Sequence, residues 1–269
     1  MVKRLEGKVA LITGCGSSGP GWGNGKAMAV LLAREGAKVY GCDINLSAAQ
    51  ETQAIVQKEG ATMGVAECNV TDADAVEKLV KDCIAAYGDI DILINNVGTA
   101  RVGGVVEQSL EDWQLVFDIN VKSMFLTCKH AIPSMLKKGK GSIVNIGSVA
   151  GIRDSGVAYV SYSASKAAVL GFSRSVALQY AKQGIRSNVL MPGLMNTPMV
   201  RQPVVSLAAG YRSDSVEEML DKRNQQCPMG HMGDAWDVAH TALWLASDES
   251  RYITSAEIVV DGGISARIG

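Results

Sequence analysis

Of the seven tyrosines in the sequence, only Tyr162 has a lysine, Lys166, four residues later. On a helix the two side chains share one face, so the ammonium can lie beside the phenol. A phenol has a pKa of about 10, and a nearby positive charge favours its phenolate. Ser148 ends the preceding predicted strand and can reach the same site. The pair alone is a weak signal, and this setting strengthens it.

A glycine-rich loop follows the first predicted strand, with six glycines among the twelve residues 14–25. A literal G-x-G-x-x-G begins at Gly14, but a helix starting at its last glycine would contain three more glycines, each costing about 1 kcal/mol. We therefore expect the helix to begin near Asn24 or Gly25. The backbone N–H groups of such a loop can approach a pyrophosphate, with the positive helix end behind it. A flexible surface turn is the alternative, and the position after the first strand favours the phosphate site.

An acidic residue, Asp43, ends the second predicted strand. Its carboxylate can accept both hydroxyls of an adenosine ribose and would repel a 2′-phosphate. No arginine or lysine occurs at 44–46 to neutralise such a phosphate. The pattern favours NAD over NADP. An acid that only stabilises the first turn of a helix would leave the preference open.

The elements that must position these residues alternate between short apolar runs and longer amphipathic stretches. Strands are predicted at 9–13, 39–42, 90–94, 142–146, 186–190 and 257–260, with a weaker seventh at 61–66. Helices are predicted at 26–35, 47–59, 73–87, 111–137, 162–183 and 235–247. This alternation predicts parallel strands, right-handed crossovers and a doubly wound α/β sheet. Such sheets bind ligands at the carboxyl ends of their strands.

Composition excludes several other classes of protein. The 269 residues include 26 basic and 27 acidic side chains, without the basic cluster that binds nucleic acid or an anionic membrane. The apolar run at 9–13 is too short for a signal peptide or a membrane span, so we expect a cytoplasmic protein. No two of the six cysteines lie closer than 15 residues, which indicates reduced thiols and no zinc site. A chain of this length can form one α/β domain.

Six motifs, in order, resemble the short-chain dehydrogenase/reductase family over nearly the whole chain. They are Thr13-Gly14 with Gly23-Asn24-Gly25, Asn95-Asn96-Val97-Gly98, Asn120 in Asp118-Ile119-Asn120-Val121, Ser148 with Tyr162 and Lys166, Pro192-Gly193-Leu194-Met195-Asn196-Thr197, and Asp261-Gly262-Gly263. The resemblance implies a single-domain Rossmann-type sheet over 1–269, with about seven parallel strands flanked by helices. It also implies a homotetramer.

The resemblance implies a role for each residue of a catalytic tetrad. Tyr162 would be the general base in oxidation and the acid in reduction. Lys166 would lower the pKa of Tyr162 and hydrogen-bond the nicotinamide ribose. Ser148 would hold the substrate oxygen, and Asn120 would anchor a water that leads from Lys166 to solvent. The implied cofactor-binding residues are Gly14, Gly23, Asn24, Gly25, Asp43, Asn69, Val70, Asn96, Gly98, Tyr162, Lys166, Pro192 and Thr197.

The sequence departs from the family pattern at two places. About five extra residues, including Pro20 and Trp22, precede Gly23, and Asn24 replaces a bulky apolar residue. Asn69 stands where the family commonly has an aspartate, and an asparagine can still donate to and accept from an adenine.

The sequence is least informative about the substrate. We predict a substrate-binding lid at 194–232, with an apolar lining from Met195, Met199, Val204, Val205 and Leu207. Core packing or a subunit contact explains these apolar residues equally well. Arg101, Arg153 and Arg201 are candidates to bind a substrate anion, although the sequence favours a surface or loop-holding role for each. Tyr159 is a candidate to line the pocket. Cys15, Cys42 and Cys68 each follow one of the first three strands, and we hypothesise that NAD protects one of them from alkylation.

Three functions remain open at this point. The first is an NAD-dependent oxidoreductase that transfers a hydride between the nicotinamide and a secondary alcohol or ketone. The second is an NADPH-dependent carbonyl or 3-oxoacyl reductase, which needs a basic residue near the glycine loop; Lys26 is the nearest. The third is a non-catalytic dinucleotide-sensing scaffold. No metal, nucleic-acid or membrane partner is predicted.

Overall fold

The structure is a computed structural model that describes residues 3–154, 156–202 and 210–267. Its centre is a sheet of seven parallel strands in the order β3-β2-β1-β4-β5-β6-β7. The strands are β1 (Val9–Thr13), β2 (Lys38–Asp43), β3 (Met63–Glu67), β4 (Ile92–Asn95), β5 (Gly141–Ile146), β6 (Ile185–Pro192) and β7 (Glu257–Val260). The predicted α/β doubly wound fold is confirmed, including the weaker strand now seen as β3.

Helices cover both faces of this sheet. They are α1 (Asn24–Arg34), α2 (Leu46–Lys58), α3 (Ala73–Tyr87), α4 (Leu110–Phe117), α5 (Ser123–Lys138), α6 (Val160–Tyr180), α7 (Val216–Gln226) and α8 (Ala235–Ala246). In β1, Ala10 and Ile12 pack with α1 and α8, whereas Val9 and Leu11 pack with α3 and α5. Because both faces are covered, the strand is apolar from Val9 to Ile12 and does not alternate.

The predicted helix at 111–137 is not one regular α-helix. Helix α4 passes into a π-helical segment, Asp118–Lys122, before α5 begins. The wider turn carries Asn120, which is fully buried. Hydrophobic periodicity cannot show such a turn, because the segment stays helical throughout. Single π-helical turns inside α-helices often occur at functional sites.

Helix α1 begins at Asn24, so the prediction of a late start is confirmed. The stretch after Pro192, which shows no clear pattern in sequence, includes α7. None of the helices in the described ranges is both long and apolar enough to cross a membrane.

Candidate active site

A cavity of about 550 Å³ lies at the carboxyl ends of the strands. This edge of a parallel sheet is where open α/β folds bind ligands. The cavity wall includes Ser148 and all the predicted cofactor residues, namely Gly14, Gly23, Asn24, Gly25, Asp43, Asn69, Val70, Asn96, Gly98, Tyr162, Lys166, Pro192 and Thr197. Asn120 is not on the wall and lies behind it. The structure therefore brings the predicted site residues together, while their roles stay predictions.

The glycine loop packs too closely for side chains at two positions. A Cβ atom at Gly25 would lie 1.8 Å from the carbonyl oxygen of Gly14 and 2.5 Å from Nδ2 of Asn96. Gly14 itself has a φ of 67°, which favours glycine. Asn96 holds the loop in place, since its Nδ2 donates to the Gly14 oxygen at 2.9 Å. The backbone at the end of β1 and at the start of α1 therefore lies close to the cavity without side chains in between.

The start of α1 has the features of a phosphate-binding helix end. Its N-cap residue, Gly23, has no side chain that could cap the first N–H groups. These groups carry the positive end of the helix dipole, and no N-cap side chain competes with an anion for them. Asn24 adds a buried Oδ1 atom that has no hydrogen-bond partner within the described residues. A bound ligand with hydroxyl or amide donors would satisfy that oxygen, so these residues fit a dinucleotide.

The extra residues of the loop pack against the C-terminal part of the chain. The Trp22 ring lies 4.7 Å from the ring of Trp236 on α8. Further along, Gln202 donates to the carbonyl oxygen of Ser18. Ser17 and Ser18 line the cavity, so the longer loop extends its wall.

Asp43 is held with its carboxylate on the cavity wall. Its Oδ2 accepts a hydrogen bond from the Gly16 N–H at 3.0 Å, and its Oδ1 accepts one from the Asn45 N–H at 3.0 Å. A carboxylate has about four acceptor positions, so both oxygens can accept further bonds from ligand hydroxyls. Nearby, Asn69 uses its Oδ1 to accept from Thr71, which orients its amide on the wall.

Lys166 is buried close to Tyr162 on the first turns of α6. Its Nζ lies 5.7 Å from the centre of the Tyr162 ring and donates to the carbonyl oxygen of Ile146 at 2.8 Å. Burial disfavours the charged form and lowers the pKa of Lys166 to about 8. Ser148, which follows β5, accepts from the Ala150 N–H through its Oγ.

The phenol of Tyr162 is subject to opposing influences. Burial raises its pKa, whereas the Ser148 hydroxyl, as a hydrogen-bond partner, and the charge of Arg223 lower the pKa. The net direction is upward, which differs from the expectation that a nearby cation lowers it below the usual value. The reason is that desolvation is the largest effect. The separate lowering expected from Lys166 stays a prediction.

Asn120 supports the site from behind. Its Oδ1 accepts from the Thr99 N–H at 2.8 Å, while its Nδ2 donates to the Thr99 oxygen and to Ser165 Oγ, each at 2.9 Å. A Cβ atom at Gly98 would lie 3.3 Å from Lys166 Nζ and 3.4 Å from Asn120 Oδ1. A side chain at position 98 would therefore crowd both Lys166 and Asn120. The water predicted at Asn120 stays a prediction.

The far end of the cavity is lined by aromatic and sulfur-containing side chains. Tyr159 packs against Tyr162 with ring centres 5.4 Å apart, and Met195 and Met199 also line the wall. Val204, Val205 and Leu207 lie outside the described residues. Tyr211 also lines the wall.

Sequence reasoning missed Arg223, a cavity-lining residue that is only 4% exposed. One signal was available: Arg223 on α7 occupies the helical stripe formed by Met219, Leu220 and Cys227, where an apolar residue is expected.

The three arginines proposed from sequence do not line the cavity. Arg101 pairs with Asp112 at 3.1 Å, and Arg153 donates to the Ser265 oxygen. Arg201 donates to Asn196 Oδ1 at 2.9 Å and is exposed. Surface and loop contacts therefore account for all three side chains.

Comparisons with known proteins agree with this geometry. A family model described as enoyl-(acyl carrier protein) reductase matches residues 21–265. The chain is 37% identical over 268 residues to 2,5-dichloro-2,5-cyclohexadiene-1,4-diol dehydrogenase of Sphingobium indicum, covering 100% of both chains. It is 36% identical over 264 residues to a 3-oxoacyl-[acyl-carrier-protein] reductase of Thermotoga maritima, covering 97% of this chain and 99% of the relative.

A solved structure of a Burkholderia xenovorans protein, described as a short-chain dehydrogenase/reductase, matches with a TM-score of 0.91 and 44% identity. The match covers 99% of this chain and 100% of that one. Fold, motifs and relatives lead to one assignment. The chain belongs to the short-chain dehydrogenase/reductase family, whose members are oxidoreductases that use nicotinamide cofactors.

Proposed function

We propose that this protein is an NAD-dependent oxidoreductase that interconverts a secondary alcohol and the corresponding ketone. One observation carries the proposal: Asp43 and the Ser148, Tyr162 and Lys166 group line the same cavity. An acid suited to a ribose diol and a phenol suited to proton transfer are thus available to one ligand. A non-catalytic scaffold would have no need for the second group.

The chain's own residues would move the proton of the reaction. In oxidation, Tyr162 as phenolate takes the hydroxyl proton of the substrate while Ser148 donates a hydrogen bond to the substrate oxygen. A bound NAD would supply the hydride acceptor, so that the carbinol carbon of the alcohol could lose a hydride and become the carbonyl carbon of the ketone. Lys166 stabilises the phenolate by its charge. Reduction uses the same groups in reverse, with Tyr162 as the acid.

The preference for NAD rests on Asp43 and on the cations near it. A 2′-phosphate beside the Asp43 carboxylate would place like charges in contact. Lys26, the basic residue nearest to the glycine loop in sequence, does not line the cavity and pairs with Glu51 at 3.8 Å. This arrangement disfavours the NADPH-dependent reductase, which stays the second candidate because one relative is named as a reductase.

Three further proposals concern the rest of the chain. We propose that 1–269 forms one domain, and that 194–232 covers the substrate, since Met195, Met199 and Tyr211 line the cavity. A homotetramer is supported by exposed apolar side chains on the helices α4 to α6, including Leu110, Phe125 and Leu178. A cytoplasmic location stays a prediction.

A fluorescence titration with NADH and, separately, with NADPH tests the proposal. Wild-type protein is expected to bind NADH at least tenfold more tightly, which corresponds to about 1.4 kcal/mol. Asp43→Asn keeps an oxygen acceptor but removes the negative charge. It should therefore reduce the ratio of NADH affinity to NADPH affinity. Glu67→Gln is the matched control, because Glu67 pairs with Asp43 in the β2–β3 register and is absent from the cavity wall.

Two other outcomes would redirect the assignment. Tighter binding of NADPH would overturn the Asp43 argument and favour the reductase. Failure to bind either dinucleotide would mean that the glycine loop no longer serves a dinucleotide, and would favour a non-catalytic scaffold without that ligand.

A further inference from the structure

The buried arginine of the cavity, Arg223, lacks an acidic partner. Its side chain lies on α7 and is 4% exposed, yet no carboxylate of the described residues lies within ion-pair distance of its guanidinium. The residues outside the described ranges include no aspartate or glutamate. Buried charges in proteins are normally paired, because desolvation of an isolated charge is costly. The missing partner therefore needs an explanation.

The contacts that Arg223 does make are weak. Its Nε donates to the sulfur of Met232 at 3.2 Å, and one terminal nitrogen lies 3.5 Å from the Tyr211 hydroxyl. The guanidinium carbon also lies 5.6 Å from the centre of the Tyr211 ring. These contacts fix the direction of the side chain. They leave most of the five N–H donors without an oxygen acceptor in the described part of the chain.

Arg186 shows how this chain satisfies a buried arginine that serves structure. Its terminal nitrogens donate to the carbonyl oxygens of Ile253, Leu245 and Ser247 at 3.1, 2.7 and 3.3 Å. A guanidinium with several carbonyl acceptors needs no ligand. Arg223 differs, because its recorded partners are a thioether and a phenol.

The position of Arg223 connects it with the reacting centre. It lines the same cavity as Tyr162. Burial raises the pKa of the Tyr162 and Tyr159 phenols, and the charge of Arg223 acts against that rise. Lys166 and Arg223 are the only lysine and arginine on that wall within the described ranges. Lys166 is expected to serve the cofactor and Tyr162. Arg223 is thus the cation that remains for the substrate, and it suits a substrate with a single negative charge.

We propose that Arg223 binds a carboxylate of the substrate, so that the enzyme acts on hydroxy acids and the matching oxo acids. A planar guanidinium holds a carboxylate through two parallel hydrogen bonds, which would orient the carbinol carbon towards Tyr162. The tyrosine and methionine side chains around it would contact the carbon skeleton. The proposal rests on the proposed function and deepens it by naming the substrate class.

The first test compares acids with their neutral esters on the wild-type enzyme. The probes are short 2-oxo and 3-oxo carboxylic acids, such as acetoacetate, each paired with its methyl ester. Binding to the enzyme–NADH complex is followed by NADH fluorescence and by melting temperature, and turnover by NADH absorbance. At least one acid should bind tenfold or more tightly than its ester. If no acid of the panel exceeds its ester, the proposal is overturned.

The second test uses variants of α7. In Arg223→Met, kcat/KM for the acid should fall at least a hundredfold, and the preference for the acid over its ester should disappear. Lys222→Met is the matched control, because it removes the adjacent, partly exposed charge, which is paired with Glu218. It should retain the preference. A preference retained in Arg223→Met overturns the assignment to Arg223.

Stability separates a binding role from a structural one. An unpaired buried charge destabilises the free protein, so Arg223→Met should melt at or above the wild-type temperature without ligand. A structural arginine would instead lower the melting temperature and impair acid and ester alike, which would contradict the proposal. Should this variant not fold, Arg223→Lys, which keeps the charge but loses the paired donors, should weaken acid binding about tenfold.

Failure of the proposed function would be visible separately. Failure of the wild-type protein to bind either NADH or NADPH, or no turnover of any acid or ester while the nucleotide binds, counts against the oxidoreductase. The binding comparison between acids and esters, repeated without nucleotide if NADH does not bind, still decides whether Arg223 recognises a carboxylate.

Discussion

Lys166 is expected to lower the stability of the folded protein, although the predicted function requires it. Burial lowers its pKa from 10.5 to about 8, with no carboxylate partner recorded within the described residues. At about 1.4 kcal/mol per unit, this shift corresponds to about 3 kcal/mol of lost stability at pH 7. The hydrogen bond to the Ile146 oxygen, at 2.8 Å, returns about 1 kcal/mol. Lys166→Met should therefore stabilise the nucleotide-free protein by about 2 kcal/mol and abolish turnover.

The stability difference between wild type and Lys166→Met should depend on pH. Between pH 8 and 10.5, the unfolded chain holds a proton on Lys166 that the folded protein has released, so stability rises with pH. The penalty is fully present below pH 8 and disappears as the pH rises towards 10.5. The advantage of Lys166→Met over wild type should be largest at pH 7 and should shrink across this window.

Urea unfolding and thermal melts at pH 7, 8.5 and 10 measure the effect. At pH 7 the variant should melt higher by roughly 4–8 °C, from about 2–4 °C per kcal/mol. Lys182→Met, at an exposed lysine on the turn after α6, is the control and should stay within about 0.5 kcal/mol of wild type. A variant that melts lower at pH 7, or a difference that does not change with pH, would refute the burial argument.

Three other predictions follow from the site. Tyr162→Phe should reduce turnover to less than a tenth of wild type with NADH affinity nearly unchanged; a higher residual rate would remove Tyr162 from the mechanism. Gly25→Ala should lower stability by about 1–3 kcal/mol and weaken NADH binding, because its Cβ would overlap the Gly14 oxygen. Gly171→Ala, in an open position on α6, should instead stabilise by up to about 1 kcal/mol, and equal effects on unfolding would contradict this contrast. Cys68 lies on the cavity wall, so saturating NADH should slow its labelling by maleimide, followed by mass spectrometry; unchanged labelling would count against this.

The structure reduces the number of cysteines that a bound nucleotide could protect from alkylation. Cys15, Cys42 and Cys68 are all buried, and burial raises the pKa of Cys15 to about 12. A hydrogen bond from Cys42 lowers the pKa of Cys68. Cys68 is therefore the one of the three for which protection by a nucleotide stays a useful prediction.

Much of the fold could be predicted from sequence, because its signals are local. The apolar runs of β1 and β4 predict strands covered on both faces. Glycine spacing predicts that α1 begins near Asn24 or Gly25, and it begins at Asn24. The order of the motifs predicts which residues approach the carboxyl edge of the sheet. The i to i+4 spacing of Tyr162 and Lys166 likewise needs only the geometry of a helix.

Other features depend on contacts between distant segments, which no local pattern reports. The π-helical turn at Asn120 is supported by hydrogen bonds to Thr99 and Ser165, which lie 21 and 45 residues away. The direction of the Tyr162 pKa follows from how much water the folded chain excludes. In sequence, Arg223 is a charged residue at a position of α7 where an apolar residue is expected. Only the tertiary structure, which packs it against Tyr211 beside the cavity, shows that it is a buried cation. Burial and electrostatic environment are properties of the assembled chain, because dielectric and partner groups are set by residues from many elements.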